Sequence, residues 1–223
     1  ALDLSSSKLA WMGNLGGYLA MEEGVLDLCE KSLNLVAGTG ATVEATSPLF
    51  NYNDLWMCFT TLRHGSRTSL RNYWDDPETH GMLKPELAWE IQEGLKITSN
   101  DTATANQLRQ AWYVELDRLF NKYDFLVWPT AQVFPFDKNI SWPEKISGRV
   151  MDTYHRWMEV VIYGSLGGLP VVNVPVGFNA QNRPMGMQVM GRLGEDKKVL
   201  EFALAYEEIT NHLKSRPKLI AGV

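Results

Sequence analysis

The 223 residues, 45% hydrophobic and 21% charged, have the balance of a globular protein long enough to bury a sizeable core. A formal net charge of −5 excludes the basic field with which a protein recruits nucleic acid or an anionic membrane surface. No apolar run approaches the roughly 18–20 residues that a membrane span needs.

The chain opens Ala1-Leu2-Asp3-Leu4-Ser5, without an initiator methionine, basic region or long apolar stretch, and this reads as a cut edge rather than a signal peptide. Lys8 to Met12 is a short buried strand closed by the turn Gly13-Asn14-Leu15-Gly16-Gly17. Val25, Leu28, Cys29, Ser32 and Val36 recur at helical spacing, and Gly38 and Gly40 end that helix. Thr42 to Thr46 supplies a second strand, so the β-α-β order predicts a parallel crossover. A long helical block follows. Leu55, Phe59 and Leu62 form one apolar face, and Leu87, Ile91 and Leu95 form another beyond the turn at Asp75-Asp76-Pro77. A third comprises Leu108, Trp112, Leu116 and Leu119, capped by Ser99 or Asp101.

Phe125-Leu126-Val127-Trp128 is an apolar strand cut off by Pro129-Thr130, and the stretch 131–148 is a long surface loop of the kind that borders sites. Two β-prone runs, Val171 to Val176 and Met185 to Met190, flank Asn179-Ala180-Gln181-Asn182-Arg183-Pro184, which predicts an antiparallel hairpin. A closing helix carries Val199, Phe202, Ala203, Tyr206, Ile209 and Leu213 at periodic spacing. The fold class is α/β, a mixed parallel and antiparallel sheet flanked by helices, read as a single domain over 1–223.

Chemistry is harder to find. Cys29 and Cys58, each in an apolar helix-like stretch, read as free buried thiols of a reducing compartment, so a cytoplasmic location is expected; one disulfide between them stays open, without a framework to support it. The histidines His64, His80, His155 and His212 are dispersed, and no HExxH or CxxC pairing occurs, so neither a metal nor a cofactor is expected. Gly164-Ser165-Leu166-Gly167-Gly168 precedes a strand, whereas a nucleophile elbow follows one. Ser5-Ser6-Ser7-Lys8 puts hydroxyls near an ammonium but lacks glycine-borne amides for an oxyanion hole. Asp152, Glu159, Glu22 and Glu23 show no pairing that demands acid–base work. The rings of Trp128, Trp142, Tyr154, Trp157 and Tyr163 could line an apolar pocket or simply pack.

The run Gly167-Gly168-Leu169-Pro170-Val171-Val172-Asn173-Val174-Pro175-Val176-Gly177-Phe178, followed by Arg183-Pro184-Met185-Gly186-Met187-Gln188-Val189-Met190-Gly191, resembles the C-terminal core of the amidase-signature family. Tyr123 to Thr130 resembles that family's tyrosine-aspartate, apolar strand, proline-threonine element, and Val199 to Glu207 its closing helix. Within the hairpin, Gly168 is expected to allow close backbone approach, Pro170 and Pro175 to suit strand ends, and Gly186 to admit a crowded sheet contact. The family often has glycine where Asn182 stands, and asparagine is the next-best residue for a left-handed turn. The resemblance, to amidases like the glutamyl-tRNA amidotransferase A subunit, implies hydrolysis of a carboxamide to carboxylate and ammonia. It also implies that the family's Lys-Ser-Ser groups belong to a first half with no counterpart here, so no catalytic residue is carried over. Lys8 falls at the opening of the second half and does not match the family lysine.

This half would complete the sheet and form one wall of the acyl pocket, with Trp128, Thr130, Tyr154 and Trp157 as substrate-binding candidates. The implied partners are a small-molecule amide and the absent N-terminal catalytic half or a partner chain, with a homodimer through an exposed apolar face as a further option. A non-catalytic, amidase-derived domain that binds a ligand or stabilises a partner is the alternative.

Overall fold

The computed structural model describes residues 2–214, so Ala1 and the Leu213 side chain lie outside what is described. The described residues form two compact units. The first comprises the chain up to Pro48, Leu119–Gly164 and the chain from Gly168 onward; the second comprises Leu49–Arg118 with Ser165–Gly167.

The first unit is built on a sheet whose strands are β1 (Lys8–Trp11), β2 (Thr42–Ala45), β3 (Phe125–Pro129), β6 (Val171–Phe178) and β7 (Pro184–Met190). Their order is β2-β1-β3-β7-β6. β1 pairs in parallel with β2 and β3, and β7 pairs antiparallel with β3 and β6, which gives the expected mixed sheet. The β1–β2 connection is α1 (Val25–Ala37), the crossover helix that a parallel pair requires. Val25, Cys29, Ser32, Leu33 and Val36 are its buried face. Its packing partner, α8 (Asp196–Thr210), buries Val199, Phe202, Ala205 and Tyr206. Phe125 and Val127 of β3, Val174 and Val176 of β6, and Met185, Met187 and Val189 of β7 complete this core.

The hairpin connection turns on Asn182 at φ 61°, the left-handed residue expected there. Two readings of this region are corrected. Pro175 is no strand end: it lies inside β6 at a register shift beside Gly177, which the sheet tolerates because β6 is an edge strand. Gly168 is required for its φ of 61° rather than for close approach, since nothing lies near a Cβ built there. The 131–148 loop is not all surface either. Gln132, Val133 and Phe134 are buried, and the loop ends in a small hairpin of β4 (Lys145–Ile146) and β5 (Arg149–Val150).

The second unit is helical: α2 (Tyr52–Arg67), α3 (Arg71–Asp75), α4 (Pro77–His80), α5 (Pro85–Gly94) and most of α6 (Ser99–Phe120). α2 buries Leu55, Cys58 and His64 rather than Phe59 and Leu62, and His64 meets the Trp89 ring edge-on at 4.9 Å. Leu95 lies past the end of α5 and is exposed, while Gly94 lets that helix approach the α2 backbone. The cap of α6 is Thr98, not Ser99: its Oγ1 accepts from the Asp101 amide at 3.2 Å and the Asp101 carboxylate accepts from the Thr98 amide at 2.9 Å. This is a capping box, in which each side chain satisfies the other's free amide. α7 (Ile162–Gly167) runs into β6. Cys29 and Cys58 are free, buried thiols, and no helix of the described residues is long and apolar enough to cross a membrane.

Candidate functional site

Side chains alternate along a strand, so Leu126, Trp128 and Thr130 share one face of β3 while Phe125 and Val127 face α1 and α8. The register carries that face across the sheet. Trp128 stands opposite Gln188, and Gln188 opposite Asn173. One row further on, the Thr130 amide donates to the Gly186 carbonyl at 3.0 Å, and Gly186 is paired with Pro175. Gly186 has no side chain between its neighbours, so the Thr130 hydroxyl reaches across it and donates to Asn173 Oδ1. A Cβ at Gly186 would sit 2.6 Å from Asn173 Oδ1 and 3.0 Å from Thr130 Oγ1.

This bridge is the floor of a cleft of about 480 Å³. Phe134, Pro135, Phe136 and Trp157 line it, as do Pro175, Pro184 and Met185. Phe136 and Trp157 meet edge to face at 5.5 Å. The lining holds one hydroxyl, that of Thr130, and among the described residues it contains no serine, cysteine, histidine or lysine. The cleft is therefore equipped to hold a ligand, not to attack one.

Thr130 and Trp157 are brought together in this lining; Trp128 and Tyr154 are not part of it. Trp128 is fully buried one row deeper, stacked on Tyr163 at 5.6 Å with 10° between the ring planes. Tyr154 packs edge-on against Trp142 at 6.4 Å. Asn173, Gly186 and the Phe134-Pro135-Phe136 run carry the cleft without having been singled out as site residues. The available signal was Phe-Pro-Phe shortly after a strand end, an apolar run where a solvated loop would be polar.

The segment bearing Trp157 is held from below. The Glu159 carboxylate is buried, accepts from the Tyr18 hydroxyl at 2.9 Å and from Arg156 at 2.9 Å, and Arg156 also reaches Asp152 at 3.0 Å. Burial pushes the Glu159 pKa above the usual carboxylate value, while Arg156 and the Tyr18 hydroxyl pull against that rise. Burial, with Glu159 alongside, raises the Tyr18 phenol. Arg149 lies over the Tyr18 ring at 5.7 Å and donates to the Tyr18 carbonyl. Gln132 makes a second tie: its Nε2 donates to the Ala20 carbonyl at 2.9 Å and its Oε1 accepts from the Val160 amide at 3.1 Å. Gln188 makes a third, donating to the carbonyls of Pro129 at 2.9 Å and Val160 at 3.0 Å. The loop before α1, the end of β3 and the 3-10 turn Arg156–Val161 are thus locked together, which fixes the turn that carries Trp157 into the lining.

Because a methyl at Gly186 must push the bridge apart, Gly186→Ala is expected to lower stability by about 1–3 kcal/mol. Urea denaturation checks this, and an unchanged midpoint would mean that the floor is soft.

A protein-family model described as Amidase matches residues 7–200. An acylamidase of Rhodococcus erythropolis is 27% identical over 221 residues, covering 96% of this chain and 45% of that protein. The A subunit of the glutamyl-tRNA(Gln) amidotransferase of Symbiobacterium thermophilum is 37% identical over 117 residues, 52% of this chain and 22% of that protein. The crystal structure of a bacterial aryl acylamidase of the amidase-signature enzymes superposes with a TM-score of 0.78 at 21% identity, covering 95% of this chain and 46% of that one. The chain thus spans less than half the length of these relatives.

Proposed function

The chain belongs to the amidase family, and from that premise we propose that it forms the C-terminal part of an enzyme that hydrolyses a carboxamide to carboxylate and ammonia. In this reading it supplies sheet core and one wall of the acyl pocket, while the Lys-Ser-Ser groups that attack the amide come from an N-terminal half or a partner chain. The observation that carries the reading is the cleft over Gly186: apolar, walled by rings, with a polar bridge in its floor and no nucleophile in its lining. Thr130 and Trp157 are the binding residues that it favours; Trp128 supports the row below Thr130, and Tyr154 packs on Trp142 outside the lining.

An unpartnered surface is consistent with a missing half. β6 is an edge strand whose Val171 and Phe178 are 44% and 48% exposed, and Leu200 and Leu204 of α8 are 65% and 50% exposed. Self-association through exposed apolar positions of this kind is the form expected when the other half is absent. The two buried thiols fit a reducing compartment such as the cytoplasm.

The test is ammonia release from simple amides by this chain alone, and by this chain mixed with the unmatched N-terminal part of the Rhodococcus acylamidase. Turnover by the mixture only is the expected result. Robust turnover by the chain alone would overturn its dependence on a second half. A silent mixture in which amides still occupy the cleft would favour a non-catalytic ligand-binding domain.

A further inference from the structure

We propose that the cleft over Gly186 selects an uncharged ligand with a flat apolar body and a hydrogen-bond acceptor, an aromatic carboxamide rather than an amino-acid amide, and that Asn173 is the donor it docks on. This rests on the cleft being an amide-pocket wall, and it names the substrate class that such a wall accepts.

Charge favours a neutral ligand. None of the lining residues is ionisable. A free amino-acid amide carries an ammonium and a carboxylate, and desolvating either against proline, phenylalanine and tryptophan costs far more than neutral contacts return unless a counter-charge is present. Arg183 does not supply one. It borders the lining, with its guanidinium 5.4 Å over the Phe134 ring and 3.4 Å from the Pro135 carbonyl, but its charge is answered by Glu22 at 3.2 Å.

Hydrogen-bond polarity points the same way. The Thr130 hydroxyl has one hydrogen and gives it to Asn173 Oδ1, and the Gly186 carbonyl already accepts from the Thr130 amide. The Asn173 Nδ2 hydrogens meet no acceptor among the described residues, and Asn173 is exposed. The floor therefore offers the Asn173 amide as a donor for an acceptor such as a carbonyl oxygen, while the Thr130 hydroxyl oxygen keeps lone pairs that can take an amide N–H. A carboxylate would also accept, but it brings a full charge into a site with no cation in its lining. This wall by itself thus favours an amide over the acid that its hydrolysis yields.

Shape agrees: Phe136 and Trp157 both line the cleft and stand at 89° to one another, and aromatic side chains pack well with a further aromatic ring in offset or edge-to-face geometry.

The experiment is ligand-observed NMR titration of the 223-residue chain with benzamide, benzoate and glutamine at neutral pH. Benzamide is expected to bind at least about 10-fold more tightly than benzoate, with glutamine showing no saturable binding. Asn173→Asp keeps the acceptor for Thr130 but replaces the donor with a negative oxygen, and should weaken benzamide by at least about 10-fold, equivalent to about 1.4 kcal/mol. Phe136→Ala, which leaves the floor untouched, should weaken it too, and the wild-type ligand series stands whatever the variants do. Glutamine or benzoate binding as tightly as benzamide would overturn the proposal, as would an Asn173→Asp variant of undiminished affinity. Glutamine in the cleft would leave the amidase reading standing, whereas binding of none of the three would overturn both the proposal and the pocket-wall role.

Discussion

Replacing Trp128 with alanine is expected to lower the free energy of unfolding by about 3–5 kcal/mol, the loss that follows deletion of a large, fully buried ring. Trp128 has no solvent exposure and lies flat against Tyr163, and its row on the sheet continues through Gln188 to Asn173. Removing the indole empties the layer on which the Thr130 row stands, so the cleft should loosen as the fold weakens. Urea denaturation with the m-value held constant measures the first effect, and benzamide titration the second. A wall residue that touched the ligand directly would show the opposite balance, affinity lost at nearly unchanged stability. A stability loss below about 1 kcal/mol would therefore return Trp128 to the wall and remove it from the core. Trp128→Phe preserves an aromatic face and removes an indole N–H that has no partner among the described residues, so it should lose less than the alanine variant.

The parts of the fold that could be read from sequence are those governed by local chemistry. The crossover from β1 to β2 followed from strand, helix and strand at the right spacing, and the β6–β7 hairpin from two valine- and methionine-rich runs around an asparagine able to turn left-handed. Gly186 was legible as a crowded position, because a glycine inside a strand must answer to something. What it answers to was not legible. Thr130 and Asn173 lie 43 residues apart, and only the register of three strands brings them together over it. Their position at the C-terminal end of a strand likewise put Trp128 and Thr130 forward together as wall candidates but could not tell which would be packed under Tyr163. The Thr98 cap was missed because Ser99 and Asp101 are equally good capping types, and choosing among them needs the backbone geometry of the first turn. Nor does any glycine- or proline-rich linker mark Pro48–Leu49, where the helical unit begins, since the division comes from which surfaces pack rather than from the chain's local stiffness.

Glu159 is the clearest case of a residue whose role lies in distant partners, since Tyr18 is 141 positions away. Arg156→Met tests that role. The Arg156 and Glu159 side chains are 13% and 2% exposed, so deleting the cation leaves a buried carboxylate held by the Tyr18 hydroxyl, and the expected cost near neutral pH is about 3–5 kcal/mol. The sign of its pH dependence is fixed. Burial raises the Glu159 pKa in the folded protein and Arg156 opposes the rise, so the variant raises it further. A carboxyl whose folded pKa lies above its unfolded value favours the fold below the unfolded value, and that contribution is lost as pH rises through the folded pKa. The deficit of Arg156→Met relative to wild type should therefore shrink as pH is lowered from about 7 to about 4.5. Asp152, which Arg156 holds below the usual carboxylate value, loses its partner as well and moves the deficit in the same direction at the acid end, while carboxylates that Arg156 does not touch cancel in the difference. A deficit that stays constant over that range would mean that Glu159 does not carry the charge Arg156 answers. Adding Glu159→Gln to the variant should recover much of the loss, because a neutral amide in that place leaves no unpaired charge behind. Trp157 is the neighbour of Arg156 on the same turn and lines the cleft, so the single variant should also weaken benzamide binding, and the double variant should restore it in step with stability.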